Sequence, residues 1–394
     1  MRKISADHIF TISSEPVKNG IICVDDDGTI LSVEQPGANN IKDVEYYSGI
    51  ICPGFINAHC HLELSHMRGE ISENAGMTGF IKQLLSKRFN FSEEQILSAI
   101  ADAEDQMIKN GIVAVGDISN NSNTFRQKAK GNILYHTFIE VFNMDPGKAE
   151  EVFGSGIKLS DELSTLNLRN SINPHAPYTM SESLLKLIND RAAKNNSILT
   201  IHNQESEAES ELFISHSGSM IETFKQFGMN TDLIRKTGIN SLRSTFPLLQ
   251  DVPKLLLVHN TFTSGEDIQW IKSKIQNLKS KIYFCTCPNA NIYIENRLPD
   301  YDLFIKENVP MTIGTDSLAS NWSLSILDEI KTIVKQYPEI PLQTLLTWAT
   351  KNGAEFLEFD QLGTIEKGKK SGLNLLKNVD DLKISEKTEV LKLI

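Results

Sequence analysis

Three histidines and an aspartate follow short apolar runs of the kind that form β-strands. His59 and His61 close one such run, His202 follows another, and Asp316 follows a third. Side chains two positions apart on a strand point to the same side, so His59 and His61 can present their imidazoles together. In a barrel of parallel strands, all four side chains would meet at the C-terminal rim, where the catalytic groups of that fold converge.

Imidazoles and a carboxylate are suitable ligands for a divalent first-row metal ion. Zn²⁺ is the first choice, Fe²⁺ and Mn²⁺ accept the same donors, and a position remains for water. A single histidine after an apolar run is more often a capping or core residue than a ligand. Several strands that all end in ligand-type residues are much harder to obtain by chance. The sequence therefore predicts a metal site formed by His59, His61, His202 and Asp316.

Two further residues could turn a metal site into a hydrolytic one. Glu205 lies three residues after His202, and His259 ends another apolar run. A carboxylate one turn past a ligand can approach a metal-activated water without binding the metal, which is the placement that a proton shuttle requires. The alternative is that Glu205, Glu207 and Glu209 lie at the start of a solvent-exposed helix and have no catalytic role.

His175 lies between Pro174 and Pro177, two prolines that restrict the backbone around it. Its ring either projects over the rim of the barrel or is satisfied within its own loop. No lysine ends this run, so a bridging carbamylated lysine has no evident source there. The sequence accordingly favours one metal ion over two.

Eight apolar runs are separated by longer segments with helical periodicity, such as Ser92–Lys109 and Ser181–Lys194. This alternation predicts an α/β fold, a (β/α)8 TIM barrel over residues 51–362. A doubly wound sheet is the main alternative, and strand counting does not decide between them. The runs are Ile50–Ile56, Ile112–Val115, Ile133–Val141, Ser171–Pro174, Ile198–Ile201, Leu255–Val258, Ile282–Phe284 and Val309–Ile313.

Both ends of the chain have a different pattern, with short strands broken by turns. Gly20–Val24, the turn Asp25–Gly28 and Thr29–Val33 indicate a hairpin. The C-terminus contains comparable runs, and chain termini often lie close together. We therefore expect residues 1–50 and 363–394 to form one small β-sandwich domain.

Composition is typical of a globular protein, with 40% apolar and 23% charged residues in 394. No apolar stretch is long enough for a transmembrane helix, and the first residues lack a secretory signal, so we expect a cytoplasmic protein without a membrane partner. The net charge of −11 and the lack of a basic run argue against a nucleic-acid partner and favour a small-molecule substrate. The five scattered cysteines indicate reduced thiols.

The motifs Pro53–His61, His202-x-x-Glu205, His259 and Gly314–Ser317 together resemble the amidohydrolase superfamily. The closer likeness is to its aminohydrolase branch, which contains cytosine, guanine and adenosine-type deaminases and triazine chlorohydrolases. The segments that carry the likeness to aminofutalosine deaminases in particular are Asn57–Ser65, Pro174–Tyr178 and Gly314–Asn321.

This resemblance implies a role for each candidate residue. His59, His61, His202 and Asp316 would hold a single Zn²⁺ or Fe²⁺, and Glu205 would protonate a ring nitrogen of the substrate. The resemblance further implies that Asp316 also acts as a base, that His259 orients the water or binds the metal, and that a homodimer can form. His175 lies in a segment similar to one that contacts substrate in nucleoside-type deaminases.

We therefore expect a hydrolytic deaminase that acts on an aminated heterocycle, either an adenine-type nucleoside or a related purine. The same metal site could instead cleave an amide, a cyclic imide or an aryl halide, as in the triazine chlorohydrolases, because all of these reactions need an activated water. A catalytically inactive scaffold that binds partners is a third class of function. Such a protein would be expected to have lost some of its metal-ligating residues, whereas this sequence retains all of them.

Overall fold

The computed structural model describes residues 1–35, 43–276, 278 and 280–394. The strands of these residues are, in chain order, β1 Arg2–Ile9, β2 Val17–Lys18, β3 Ile21–Val24, β4 Ile30–Glu34, β5 Val44–Pro53, β6 Phe55–Cys60, β7 Ile112–Ser119, β8 Leu134–Val141, β9 Arg169–Pro174, β10 Leu199–Asn203, β11 Lys254–His259, β12 Lys281–Thr286, β13 Met311–Ile313, β14 Leu373–Lys377 and β15 Glu389–Lys392.

The α-helices of the same residues mostly lie between the strands of the middle region. They are α1 Gly76–Lys87, α2 Glu93–Lys109, α3 Phe125–Lys128, α4 Ala149–Thr165, α5 Glu182–Asn195, α6 Glu207–Ser215, α7 Ser219–Gln226, α8 Ser241–Thr245, α9 Gly265–Ile275, α10 Pro288–Glu295, α11 Tyr301–Lys306, α12 Ile326–Gln336, α13 Leu342–Ala349 and α14 Lys351–Leu357.

The strands of the middle region form two four-stranded parallel sheets, β6-β7-β8-β9 and β10-β11-β12-β13. Each strand lies beside the next one in the chain, which is the order of a TIM-barrel-type fold, whereas a doubly wound sheet reverses its order at a switch point. Two backbone contacts join these sheets. His202 N donates to His175 O at 3.0 Å, and Cys60 and Asp316 form a parallel bridge.

The two ends of the chain share a separate seven-stranded sheet with the order β15-β14-β5-β1-β3-β4, in which β2 also pairs with β1. The expected hairpin near the N-terminus is confirmed as the antiparallel pair β3–β4. Strand β14 from the C-terminus lies antiparallel to β5, with Leu373 opposite Pro53. Buried side chains from both ends, among them Ile4, Ile51 and Leu375, pack in one cluster.

The run Ile50–Ile56, expected as one strand, is divided between the two parts of the fold. Strand β5 ends at Pro53 in the terminal sheet, and β6 begins at Phe55 in the parallel sheet. Gly54 joins them at a very close approach, because a Cβ at this position would lie 2.4 Å from Val113 Cγ1 and 2.8 Å from Ser371 O. The sequence does not show this boundary, because the strands on both sides of it are buried and use the same apolar residue types.

Two predicted helices begin where their capping residues indicate. The Ser92 side chain accepts a hydrogen bond from Gln95 N, and the Gln95 side chain accepts one from Ser92 N, so α2 starts with a capping box. Ser181 caps α5 through Leu184 N. Along α2, Ile100, Ala103 and Met107 recur at helical spacing, are buried and pack in the main core.

Two further sequence-based expectations can be compared with the structure. All five cysteines are buried free thiols, as expected. Among the described residues, no helix combines the length and the apolar composition needed to cross a membrane.

Candidate active site

The predicted site residues come together at the C-terminal ends of the parallel strands. His59 lies in β6 with His61 just beyond it, His202 lies near the end of β10, His259 is the last residue of β11, and Asp316 follows β13. His259 and Asp316 have left-handed backbone conformations, with φ of +73° and +56°. Such values are uncommon for residues with a side chain and occur preferentially at functional sites, where the chain turns sharply.

Three imidazoles converge through their Nε2 atoms. His61 Nε2 lies 3.2 Å from His59 Nε2 and 3.3 Å from His202 Nε2. Burial lowers the pKa of His61 to about 3, and burial together with the surrounding histidines lowers the pKa of His202 well below its usual value. Both rings are therefore neutral at pH 7. His202 Nδ1 donates to His175 O at 2.8 Å, which leaves the lone pair on Nε2.

This arrangement fits a divalent metal ion. Lone pairs that face one another at such distances repel unless a cation lies between them, and neutral imidazoles are common ligands of such ions. One ligand atom from each of His59, His202, His259 and Asp316 lies within 4.8 Å of the others. His61 Nε2 also lies 3.4 Å from Asp316 Oδ1. The donors are the nitrogen and oxygen atoms that zinc, iron and manganese accept.

Asp316 provides the negative charge of the cluster. Burial alone would favour its neutral form, but the neighbouring His59 and His61 hold the pKa of this carboxyl well below its usual range. Ser320 Oγ donates to Asp316 Oδ2 at 2.5 Å, so one oxygen is fixed by the protein while Oδ1 faces the histidines. The side chain is therefore an ionised carboxylate with a fixed orientation.

Glu205 and His259 face each other beside this cluster. His259 Nε2 lies 3.3 Å from Glu205 Oε1, and His259 Nδ1 lies 2.9 Å from Asn291 Oδ1. Burial and the nearby Asp316 and Glu209 carboxylates raise the pKa of Glu205 well above its usual value. A carboxyl group with a raised pKa keeps its proton near neutrality and can transfer it to a ligand.

His175 lies next to His202 at the end of β9, with their ring centroids 4.9 Å apart. Its Nδ1 is 3.0 Å from Thr179 Oγ1, and its backbone oxygen accepts from His202 Nδ1. Burial, reinforced by His59, lowers the pKa of His175 to about 4, so the ring is neutral at pH 7. His175 also lines the pocket described next. The structure thus places it at the site rather than in a separate loop.

A pocket of about 420 Å³ opens above these residues. Its volume is within the usual range for small-molecule sites, which are mostly apolar with a few polar groups that orient the ligand. His61, His202, Glu205, His259 and Asp316 lie in its wall. The apolar part of the lining is Leu64, Met77, Phe80, Ile81, Leu84, Leu85, Phe142, Met144, Tyr178, Phe224, Met229 and Leu233.

Several polar residues of the lining were not identified from the sequence, among them Glu140, Asn120 and Arg88. Glu140 is buried and is held by Asn120, whose Nδ2 donates to Glu140 Oε2 at 3.0 Å. Burial raises the pKa of Glu140 to about 7. Glu140 is the penultimate residue of β8, and an acidic residue inside an otherwise apolar strand is the signal that could have identified it. Asn120 lies in a loop and shows no comparable pattern.

The family model described as "Amidohydrolase family" matches residues 50–392, which is most of the chain. The chain belongs to the amidohydrolase family. The matched range contains both parallel sheets and all of the residues predicted for the active site. Membership identifies the protein as a hydrolase of the kind expected from the strand-end motifs.

Several proteins are similar to this amidohydrolase. It is 26% identical over 344 residues to an adenosine deaminase of Helicobacter pylori, with 85% of this chain and 81% of the relative covered. The structure of H. pylori aminofutalosine deaminase in complex with methylthio-coformycin superposes with a TM-score of 0.80 at 23% identity, covering 95% of this chain and 92% of the other. A zinc-bound adenosine deaminase from Xanthomonas campestris superposes with a TM-score of 0.71 at 19% identity, covering 95% and 84%.

Proposed function

We propose that this amidohydrolase is a metal-dependent deaminase that hydrolyses the exocyclic amine of an adenine-type nucleoside or a related purine and releases ammonia. The observation that carries the proposal is the buried, proton-retaining Glu205 beside the cluster of His59, His61, His202 and Asp316. A relative named adenosine deaminase and a structural neighbour named aminofutalosine deaminase support the same chemistry.

We propose that His59, His61, His202 and Asp316 hold one divalent ion, with Zn²⁺ favoured over Fe²⁺ or Mn²⁺. The converging neutral nitrogens and the ionised carboxylate support this ligand set. The zinc bound to the Xanthomonas neighbour supports the choice of metal. When bound, such an ion supplies Lewis-acid chemistry, which lowers the pKa of water towards neutrality.

The side chains around the ion divide the proton transfers between them. Asp316 accepts a proton from the attacking water, since its carboxylate is ionised and its Oδ1 faces the cluster. Glu205 delivers a proton to the ring nitrogen next to the carbon that carries the amine. The amine then takes the proton held by Asp316, and the new hydroxyl returns a proton to Glu205. The carbon–nitrogen bond breaks as the carbonyl forms, so water and the aminated heterocycle become ammonia and the corresponding oxo compound, and both carboxyl groups regain their starting states.

His259 and His175 are assigned to positioning and binding. His259 orients the water and Glu205, because its Nε2 lies 3.3 Å from Glu205 Oε1 and its other nitrogen is fixed by Asn291. His175 contacts the substrate from the pocket wall with a neutral ring held by Thr179. The pocket of about 420 Å³ has room for a nucleoside.

We further propose that β6–β13 close into a (β/α)8 barrel over residues 51–362, and that residues 1–50 and 363–394 form a small β-sandwich domain. The hydrogen bond from His202 N to His175 O and the Cys60–Asp316 bridge support closure on both sides. The pairing of β14 with β5 supports the composite terminal domain. The crossing at Gly54 lies close to the proposed boundary.

A substrate panel tests the proposed reaction. Metal-loaded protein is incubated with adenine, adenosine, 5′-deoxyadenosine, cytosine, a cyclic imide and a chlorotriazine, and ammonia and chloride release are measured. We expect ammonia from at least one adenine compound. Ring opening of the imide or chloride from the triazine, with no ammonia from any adenine compound, would instead assign one of the alternative hydrolytic reactions.

A further inference from the structure

Glu209 is a buried carboxyl group that contacts the loop carrying Glu205. Its Oε1 accepts a hydrogen bond from Gln204 N and its Oε2 accepts one from Glu205 N, each at 3.1 Å. Burial raises the pKa of Glu209 to about 7, and these two N–H groups oppose the rise. A carboxyl group in the interior is costly unless its oxygens accept hydrogen bonds, and here both do. Glu209 is therefore bonded to the backbone of the proposed proton donor itself.

These contacts of Glu209 go beyond the usual cap of a helix. Ser206 precedes α6, and its side chain accepts a hydrogen bond from Glu209 N, as an N-cap serine does. In a capping box, the acidic side chain three residues after the cap accepts from the N–H of the cap residue. Here both oxygens of Glu209 accept from the two residues before the cap. The carboxyl group therefore holds the loop that contains Glu205, and not only the first turn of α6.

The same loop has a backbone conformation that needs support. Gln204 is left-handed, with φ of +44°, which is uncommon for a residue with a side chain. Its side chain is held at both ends, because Nε2 donates to Asp267 Oδ2 at 3.1 Å and Oε1 accepts from Thr263 Oγ1 at 2.7 Å. Glu209 holds the backbone N–H of the same residue. Conformations of this kind persist where the surroundings fix them, and they cluster at functional sites.

The course of this loop sets the distance between Glu205 and His259. The loop after β10 is joined to the loop after β11, where Phe262 N donates to Gln204 O at 3.0 Å. His259 Nε2 lies 3.3 Å from Glu205 Oε1. Without the carboxyl group of Glu209, two buried N–H groups would lose their acceptor and the loop could shift. A displacement of a catalytic group by about 1 Å can lower the rate about 100-fold.

We propose that Glu209 is a positioning residue, which holds Glu205 at the place from which it delivers its proton. Glu209 is not among the described residues that line the pocket, and it acts through the backbone of Gln204 and Glu205. This inference rests on the proposed function for the role of Glu205. The two hydrogen bonds themselves can be measured without turnover.

A double-mutant cycle and amide hydrogen exchange test this inference. Glu209→Gln keeps the size of the side chain, but its amide offers one accepting oxygen to two N–H groups. Glu207→Gln is the control, since it removes a carboxylate from the same helix at an exposed residue. Metal content, kcat and KM are measured for the wild type and for each variant, including Glu205→Gln with and without Glu209→Gln. Exchange at Gln204 and Glu205 is followed by mass spectrometry with residue-level fragmentation of metal-loaded protein.

We expect Glu209→Gln to lower kcat by about 10- to 100-fold with little change in KM or metal content, and Glu207→Gln to match the wild type. In the Glu205→Gln background, Glu209→Gln should lower kcat by less than about twofold, because a positioning residue has no effect once the group that it positions is gone. The amides of Gln204 and Glu205 should be protected in the wild type and exchange about fivefold or more faster in Glu209→Gln.

Near-native kcat of Glu209→Gln would overturn the inference. Loss of its metal would do so too, as would an equal fall in kcat in both backgrounds, because each of these results indicates a general structural role. If Glu209→Gln does not fold, Glu209→Asp, which withdraws the carboxyl group by one carbon, takes its place with the same expectations. Unprotected amides of Gln204 and Glu205 in the wild type would overturn the inference whatever the variants do. A wild type that releases no ammonia from any adenine compound would contradict the proposed function, whereas amide exchange would still test the contacts of Glu209.

Discussion

At the scale of single residues, the chemistry depends on which carboxyl group keeps its proton. Asp316 and Glu205 are both buried within the same site, but their surroundings act in opposite directions. The histidines beside Asp316 hold its pKa low, whereas burial and the negative charges around Glu205 hold its pKa high. Two carboxyl groups with separated pKa values can serve as base and acid in one reaction.

The role of Glu205 gives a direct prediction. Glu205→Gln should lower kcat by at least about 100-fold, because an amide cannot deliver the proton that the ring nitrogen requires. The bound metal should stay at one ion per chain. Ammonia release and metal analysis measure the two effects.

Glu207→Gln is the matched control for this substitution, since Glu207 is an exposed carboxylate two residues further along. It should keep near-native turnover. Near-native turnover of Glu205→Gln itself would show that another group moves the proton.

His259 gives a second prediction, which separates metal binding from positioning. His259→Gln should retain the metal and lower kcat, because its Nε2 faces Glu205 Oε1 at 3.3 Å. His202→Gln should lose most of the metal, because its Nε2 lies 3.3 Å from that of His61. Metal content per chain after dialysis distinguishes the two roles, and loss of metal from both variants would make His259 a ligand.

At the scale of elements, the site depends on the way β6 is held between the two parts of the fold. Its first residue follows Gly54, and His59 lies near its end. His59 O accepts hydrogen bonds from the backbone N–H groups of Thr315 and Asp316, at 3.0 and 3.1 Å. The same strand end therefore supports two predicted ligands, so a shift of β6 would move both.

The close contact at Gly54 predicts a large effect of a small substitution. Gly54→Ala should lower the free energy of unfolding by about 1–3 kcal/mol, because the new methyl group overlaps Val113 and Ser371 O. Urea denaturation measures the change.

Gly154→Ala in α4 is the control, since a Cβ there meets no atom within 4 Å. It should leave stability unchanged or raise it by up to about 1 kcal/mol, because alanine favours a helix interior over glycine. A Gly54→Ala variant as stable as the wild type would mean that the strand junction can relax without cost.

At the scale of the whole molecule, metal binding should contribute to stability as well as to catalysis. The cluster draws residues from β6, β10, β11 and the segment after β13, so an ion held there links both parallel sheets. Without an ion, the converging nitrogen lone pairs repel. A ligand that binds the folded state alone raises the unfolding temperature.

Chelation tests this contribution. Removal of the metal should abolish ammonia release and lower the unfolding temperature by several degrees, and one equivalent of Zn²⁺ should restore both. The unfolding temperature is followed by scanning calorimetry at constant pH. Unchanged stability and activity after verified removal of the metal would contradict the metal-dependent mechanism.

The sequence by itself indicated where the eight strands of the parallel sheets lie, apart from the start of the first, and which residues follow them. This was possible because strand and helix periodicities are local, and because consecutive parallel strands bring their C-terminal ends to one edge. His59, His61, His202, His259 and Asp316 could therefore be placed together without coordinates. The capping residues of α2 and α5 were identified for the same local reason.

Tertiary structure alone decided where the apolar run at Gly54 divides and which residues line the pocket. Arg88, Asn120 and Glu140 come from a helix end, a loop and a strand interior, and no local pattern relates them. These residues come together because of the conformations of the loops. Those conformations depend on long-range packing and not on a periodic pattern in the sequence. The direction of each pKa shift was equally unreadable from the sequence, because burial and neighbouring charges exist only once the chain is folded.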